Sequence, residues 1–112
     1  MIDWQVSDPL TNLGHIDGRN ATKLYHLRPY FSELAWLKTR LLVMVRYLAA
    51  VATVLDQKPS PQTKRQLNRL IGDFSLRSAR EVKQLEKITN HDLKALELYL
   101  ARRILKAKLK PL

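Results

Sequence analysis

The sequence predicts an all-α fold: one small, elongated bundle of about four to five helices, with residues 1–112 as a single helical domain. Three observations predict it. Apolar residues recur at steps of three and four over most of the chain, residues that cap helices stand where those runs begin, and nothing reads as a pair of strands. A chain of 112 residues is one domain, long enough for a core yet small enough that a partner or further chain would add much to it.

Residues 1–19 read as an irregular lead, because Pro9, Gly14 and Gly18 break any periodicity and Asn12, Asp17 and Asn20 favour turns. Asp17-Gly18 is a turn signal that displays Arg19 at its lip. Asn20 is placed to cap a short helix over 21–28, with Leu24 and Leu27 on one side, and Pro29 ends it because the residue before a proline avoids helical geometry.

A long helix follows, roughly 31–57, with Leu34, Leu37, Leu41, Val45, Leu48, Ala52 and Leu55 as its seam. At 1.5 Å per residue it would run roughly 40 Å, which favours an elongated bundle. From Leu41 to Leu55 other positions are apolar too, so more than one face is expected to be covered. A membrane span is excluded by Lys38, Arg40 and Arg46, which interrupt the run. Residues 56–61 form a linker, where Ser60 as N-cap and Pro61 in the first turn open the next helix. That helix buries Leu67, Leu70 and Ile71 and closes at Gly72. Ser75 starts another, to about Ile88, with Ala79, Val82, Leu85 and Ile88 inward and Arg77, Arg80, Lys83 and Lys87 outward.

The last helix carries the most telling stretch, Thr89-Asn90-His91-Asp92. Thr89 followed three residues later by Asp92 makes a variant of the capping box, and Leu93, Leu96, Leu100 and Ile104 then give one helical face to about Lys108. An imidazole, an amide and a carboxylate would thus stand beside the N–H groups of a helix start, a place that attracts anions. Taken alone, these residues also suit plain capping, with His91 solvated.

Net charge is +10, and the terminal Arg102, Arg103, Lys106, Lys108 and Lys110, with no acid among them, supply half of that excess. Such a balance suggests an anionic partner, although acids are scattered through most of the remaining chain. There is no cysteine, hence no disulfide scaffold and no thiolate site. His15, His26 and His91 lack metal-ligand spacing, no glycine-rich phosphate loop is present, and no serine sits in a nucleophile elbow. Met1-Ile2-Asp3-Trp4 has no basic region followed by an apolar stretch, so a cytoplasmic protein without a signal peptide is expected.

Three stretches in register resemble a family. Pro9-Leu10-Thr11 with Asp17-Gly18-Arg19 is similar to the N-terminal signature of the adenylosuccinate lyases. Phe31-Ser32-Glu33, with Leu37-Lys38, Arg40, Val43, Val45, Arg46 and Leu48, resembles that family's first long helix. Phe74-Ser75 and then Thr89-Asn90-His91-Asp92, with Lys94-Ala95 and Glu97, resemble its most distinctive N-terminal stretch. The resemblance implies a member of the fumarase/aspartase superfamily, all-helical homotetramers that eliminate fumarate from adenylosuccinate, giving AMP, and from a succinylated carboxamide of purine synthesis. It implies neither metal nor organic cofactor. It also implies that Arg19 holds the nucleotide phosphate, that Asn20, Asn90, His91 and Asp92 line the substrate pocket, and that His91 assists proton transfer.

The chain departs from the family pattern in places. Asn20 stands where the family has tyrosine, Gly14-His15 where it often has Ser-Pro, Met44 where glutamate is common, and Leu76 and Arg77 where acids are common. The family's main catalytic acid and base lie in a central helical domain with no counterpart in these 112 residues. The expectation is therefore the N-terminal domain alone, a truncated or partial product that is inactive by itself, contacting the rest of a lyase chain and a purine nucleotide, with no membrane and with nucleic acid disfavoured. The competing expectation, drawn from the +10 charge, is a stand-alone basic helical module that binds nucleic acid or another protein.

Overall fold

The computed structural model describes residues 2–4, 8–14 and 17–107, with Asp17 and Gly18 described by their backbone only. His15, Lys108 and Lys110 lie outside the described residues. Every element among the described residues is helical: α1 Asp17–Leu24, a 3-10 turn Tyr25–Leu27, α2 Arg28–Phe31, α3 Glu33–Val54, α4 Pro61–Gly72, α5 Leu76–Thr89 and α6 Asp92–Lys106. The molecule measures 52 × 29 × 22 Å, and its radius of gyration of 15.6 Å exceeds the ~13 Å of a compact chain of this length. The elongated all-α expectation is met.

The long helix is shorter at both ends than its apolar run suggests, and for local reasons. Ser32 is extended (φ −77°, ψ 164°), and its hydroxyl accepts from the Ala35 N–H, so the helix begins at Glu33. At the far end Asp56 takes a left-handed conformation (φ 58°). The Gln57 N–H then reaches the Ala52 carbonyl at 2.7 Å and the Asp56 N–H reaches Thr53 at 3.2 Å, the paired bonds that close a helix C-terminus. Ser60 and Ser75 cap α4 and α5 as expected, accepting from Thr63 and Ser78.

The N-terminal third departs further from expectation. Asp17 to Arg19 form the first turn of α1, so Arg19 is exposed on a helix and not on the lip of a turn. Asn20 has non-helical angles (φ −111°, ψ 24°) and kinks this helix in its middle. Pro29 does not end a helix. It lies in the first turn of α2, where its missing N–H costs nothing.

The core gathers Leu34, Leu37, Leu41 and Val45 of α3, Leu67 of α4, Phe74, Ala79, Val82 and Leu85, and Ala95, Leu96, Tyr99 and Leu100 of α6. Phe74 and Tyr99 meet edge to face with centroids 5.6 Å apart. Helices α5 and α6 form a hairpin joined by Asn90 and His91, and they share more contact than any other pair of elements. Three seam residues prove exposed: Leu55 (63%), just past the last turn of α3, and Ile88 (78%) and Leu93 (40%), on either side of the turn that joins the hairpin.

Described residues of the lead dock on the helices. The Leu10 carbonyl accepts from the Leu34 N–H at 2.7 Å, supplying a partner for the open start of α3. Arg28 is fully buried and donates to the Trp4 carbonyl at 2.9 Å. Asp8 accepts from the Leu10 N–H and pairs with Arg80 of α5.

The second face of α3 is bare. Trp36 (56%), Val43 (61%), Tyr47 (71%) and Val54 (82%) recur at steps of seven, four and seven opposite the seam. The two faces should answer differently to mutation. Leu41→Ala is expected to cost ~2–5 kcal/mol of unfolding free energy through loss of contact and a cavity, and Val43→Ser to stay within ~0.5 kcal/mol. Urea titration of both variants measures the contrast.

Candidate functional site

The Thr89–Asp92 stretch is organised differently from a capping box opened by Thr89. Thr89 is the last residue of α5, and Asn90 follows in the left-handed region (φ 53°, ψ 25°), where an asparagine is tolerated. This ends α5 and reverses the chain. His91 is then extended (φ −150°, ψ 121°) and is itself the N-cap of α6, its Nδ1 accepting from the Lys94 N–H at 3.3 Å. The Thr89 hydroxyl stays on the turn, donating to the His91 carbonyl at 3.0 Å and accepting from the His91 N–H at 3.3 Å.

Asp92 is the first residue of α6, and its Oδ1 accepts from the Leu93 N–H at 2.8 Å. The N–H groups of Leu93 and Lys94 are thus already engaged by side chains of the turn. The open row of donors expected here is in large part filled, so an anion would meet side chains before backbone.

The ionised carboxylate of Asp92 is held in place by a residue that spacing could not reveal. Arg40 of α3 pairs through Nη1 with Asp92 Oδ2, joining α3 to α6. The Arg40 guanidinium also stacks on the Trp36 ring, 4.5 Å from its centroid. Its hydrogen bond, with that of the Leu93 N–H, holds the Asp92 carboxyl below the ordinary value of 3.8. The fourfold step from Trp36 to Arg40 is legible as a helical aromatic–cation pair, but a partner 52 residues away is not.

Beside this turn lies a shallow depression of about 230 Å³ lined by His91, Leu93, Lys94 and Glu97. Small-molecule sites run roughly 300–1,000 Å³, so this wall alone does not enclose a nucleotide. His91 is well exposed, and with Nδ1 used as an acceptor its neutral ring carries the proton on Nε2, which has no protein partner among the described residues. Asn90 is exposed on the turn. Arg19 is exposed on α1 and makes no ion pair among the described residues, and no hydrogen bond or ion pair joins it to the turn. Asn20, half-buried at the kink of α1, is likewise distinct from the 90–92 cluster. The structure therefore gathers Asn90, His91 and Asp92 with Arg40 and Lys94, and leaves Arg19 and Asn20 on a separate element.

Among the described residues no three His, Asp or Glu side chains group as metal ligands, and no helix is long and apolar enough to cross a membrane.

No family model matches the chain. Curated proteins do. The chain is 37% identical over 103 residues to an adenylosuccinate lyase of Buchnera aphidicola, covering 90% of this chain. It is 36% identical over 99 residues to that of Haemophilus influenzae and 38% over 95 residues to that of Legionella pneumophila. The chain belongs to the adenylosuccinate lyase family. It spans only about a fifth of the length of these lyases, 22% of the Buchnera protein.

The Asp92–Arg40 pair has a defined pH signature. Because the folded carboxyl lies below its ordinary value, the pair stabilises the fold above about pH 4 and that contribution is lost as pH falls through the lower folded value. Asp92→Asn should therefore lower the urea midpoint at about pH 7, and the gap to the native chain should close towards about pH 3. A gap that stays constant with pH assigns the difference to something other than the ion pair.

Proposed function

We propose that this chain is the N-terminal, nucleotide-handling part of an adenylosuccinate lyase, which in full-length form removes fumarate from adenylosuccinate to give AMP, and does the same to the succinylated carboxamide of purine synthesis. The observation that carries the reading is the match itself: 36% identity or more to named lyases over most of this chain, yet over about a fifth of theirs. In this reading Arg19 binds the phosphate, its guanidinium being permanently charged and fork-shaped. Asn20, Asn90, His91 and Asp92 contact the remainder of the substrate, and His91 donates from Nε2 to an anionic oxygen or to the departing nitrogen. The enzyme acts in the cytoplasm as a homotetramer, without metal or cofactor.

Two features support a part of a larger assembly over a self-sufficient module. The depression at His91 is one wall of a site and not a pocket. The bare stripe of Trp36, Val43, Tyr47 and Val54 is the kind of surface that further protein covers, and the greater part of a lyase chain is available to do so. The basic-module reading has no comparable support. Lys83 is engaged by Glu33 and Glu86 at 2.7 Å each, and Arg103 by Glu81 at 2.8 Å, so the cations of α5 and α6 are partly neutralised.

Two assays test the proposal. The isolated chain should release no fumarate from adenylosuccinate above a no-protein control, and release above it rejects the assignment of the acid and base to other parts of the lyase. Put in place of the matching segment of the Haemophilus influenzae lyase, the chain should give an active enzyme. There Arg19→Ala should raise KM roughly tenfold or more, as loss of a charged hydrogen bond predicts, and His91→Ala should lower kcat about 10²-fold or more. Unchanged kinetics in either variant removes that residue's role.

A further inference from the structure

Two groups compete for one nitrogen of His91. The Lys94 N–H donates to Nδ1 at 3.3 Å, which requires a lone pair there. Asp92 Oδ1 stands 3.6 Å from the same atom, and a hydrogen bond between them would require a proton there. The two arrangements call for opposite tautomers of the neutral imidazole. If the carboxylate were to capture Nδ1–H, the cap on Lys94 would be lost and Nε2 would become a bare acceptor.

The carboxylate is drawn off by other partners. Its Oδ1 already accepts from the Leu93 N–H at 2.8 Å, and its Oδ2 is bound by Arg40. Arg40 is fixed in turn, since its guanidinium lies across the Trp36 ring one helical turn earlier. The other charges near the ring belong to α6 itself. Lys94 and Glu97 pair with each other at 3.3 Å and leave Asp92 to Arg40. From α5 the Thr89 hydroxyl bonds the His91 backbone, and the Glu86 carbonyl accepts from the Asn90 N–H at 2.8 Å.

We propose that Arg40 is a positioning residue for His91: by holding the Asp92 carboxylate off the ring, it keeps the neutral imidazole in the tautomer that bears its proton on Nε2. The consequence for function rests on the reading that His91 lines the lyase substrate site. There a neutral Nε2–H is a hydrogen-bond donor for an anionic oxygen of the substrate, and the opposite tautomer would repel that oxygen with a lone pair. Arg40 thus acts on the ligand through two side chains without touching it.

The tautomer can be read without substrate or turnover, which separates this proposal from the lyase assignment. In the ¹⁵N-labelled chain, two-bond ¹⁵N–¹H correlation spectra at about pH 8, above the ordinary histidine range, should show His91 with Nε2 protonated. Arg40→Gln should raise the Nδ1–H fraction at least about twofold, because the released carboxylate is then free to accept from the ring. Arg40→Lys, which retains a cation, should keep the native pattern. Arg40→Gln with Asp92→Ala should also return to it, since the competing acceptor is gone. If Arg40→Gln does not fold, the native chain in about 1 M salt serves instead: a screening length of about 3 Å weakens the exposed pair and should move the tautomer the same way. An unchanged tautomer in folded Arg40→Gln, or in high salt where that variant is unfolded, overturns the proposal. So does a native chain with Nδ1 protonated, or a tautomer shift that persists once Asp92 is removed. A merely structural Arg40 would lower stability and leave the ring nitrogens as they are.

Discussion

Leu34, Leu37, Leu41 and Val45 stand on one side of a single helix with at most 2% exposure each, and the rest of the fold is arranged to keep water from them. The α5–α6 hairpin closes one flank with Val82, Leu85, Leu96 and Leu100, and α4 adds Leu67. The irregular lead is drawn in by the same need. Burying the start of α3 strands the N–H of Leu34, an unmet donor that would cost about 1–3 kcal/mol, and the Leu10 carbonyl supplies the acceptor. Leu10 then buries its own side chain against the seam. A segment with no periodicity of its own is ordered by a helix end that lacks a partner.

Charge pairs tie these layers together at fixed points. Asp8–Arg80 links the lead to α5, Glu33–Lys83 links α3 to α5, Arg40–Asp92 links α3 to α6, and Glu81–Arg103 links the two arms of the hairpin. All are partly solvated, so each adds little to stability. Their value is directional. Apolar packing lets helices slide and rotate by small amounts, whereas a guanidinium bound to one carboxylate sets a register. The strong positive charge of the sequence is therefore interrupted along α5 and α6, where Arg80, Lys83, Lys94 and Arg103 are each paired with an acid.

Local physics was legible in the sequence, and nonlocal physics was not. The α3 seam could be read because 22 helical residues repeat the same spacing, and Ser60, Pro61 and Ser75 could be read because a cap is decided within three or four residues. The turn at 89–92 offers four residues able to cap. The box rule selects Thr89, but the left-handed Asn90 extends α5 through Thr89 and passes the cap to His91. Pro29 could equally end one helix or begin another, and the docking of Arg28 under the lead, which a buried cation in a short turn does not announce, accompanies the second outcome. Ile88 and Leu93 continue their seams in sequence yet lie past the end of the surface those seams cover. Of the candidate site, the 90–92 cluster was legible as a unit because it is contiguous. Arg40 was visible only as an interruption of an apolar run.

The turn itself does not behave as a simple helix start. A helix N-terminus binds anions through free N–H groups, and here the Leu93 and Lys94 donors are spent on Asp92 and His91. An anionic ligand would then be met by side chains, among them the Nε2 of His91, the exposed amide of Asn90 and the ammonium of Lys94, which Glu97 partly neutralises. Neutral donors and one shared cation beside about 230 Å³ of open space do not by themselves enclose a ligand of nucleotide size. In the proposed reading the phosphate contact comes from elsewhere. Arg19, exposed on α1 with no ionic partner among the described residues, has the right chemistry and stands apart from the turn. The proposed reading therefore needs more protein to join the two elements, and the apolar stripe on the outer side of α3 offers such protein a surface to pack on.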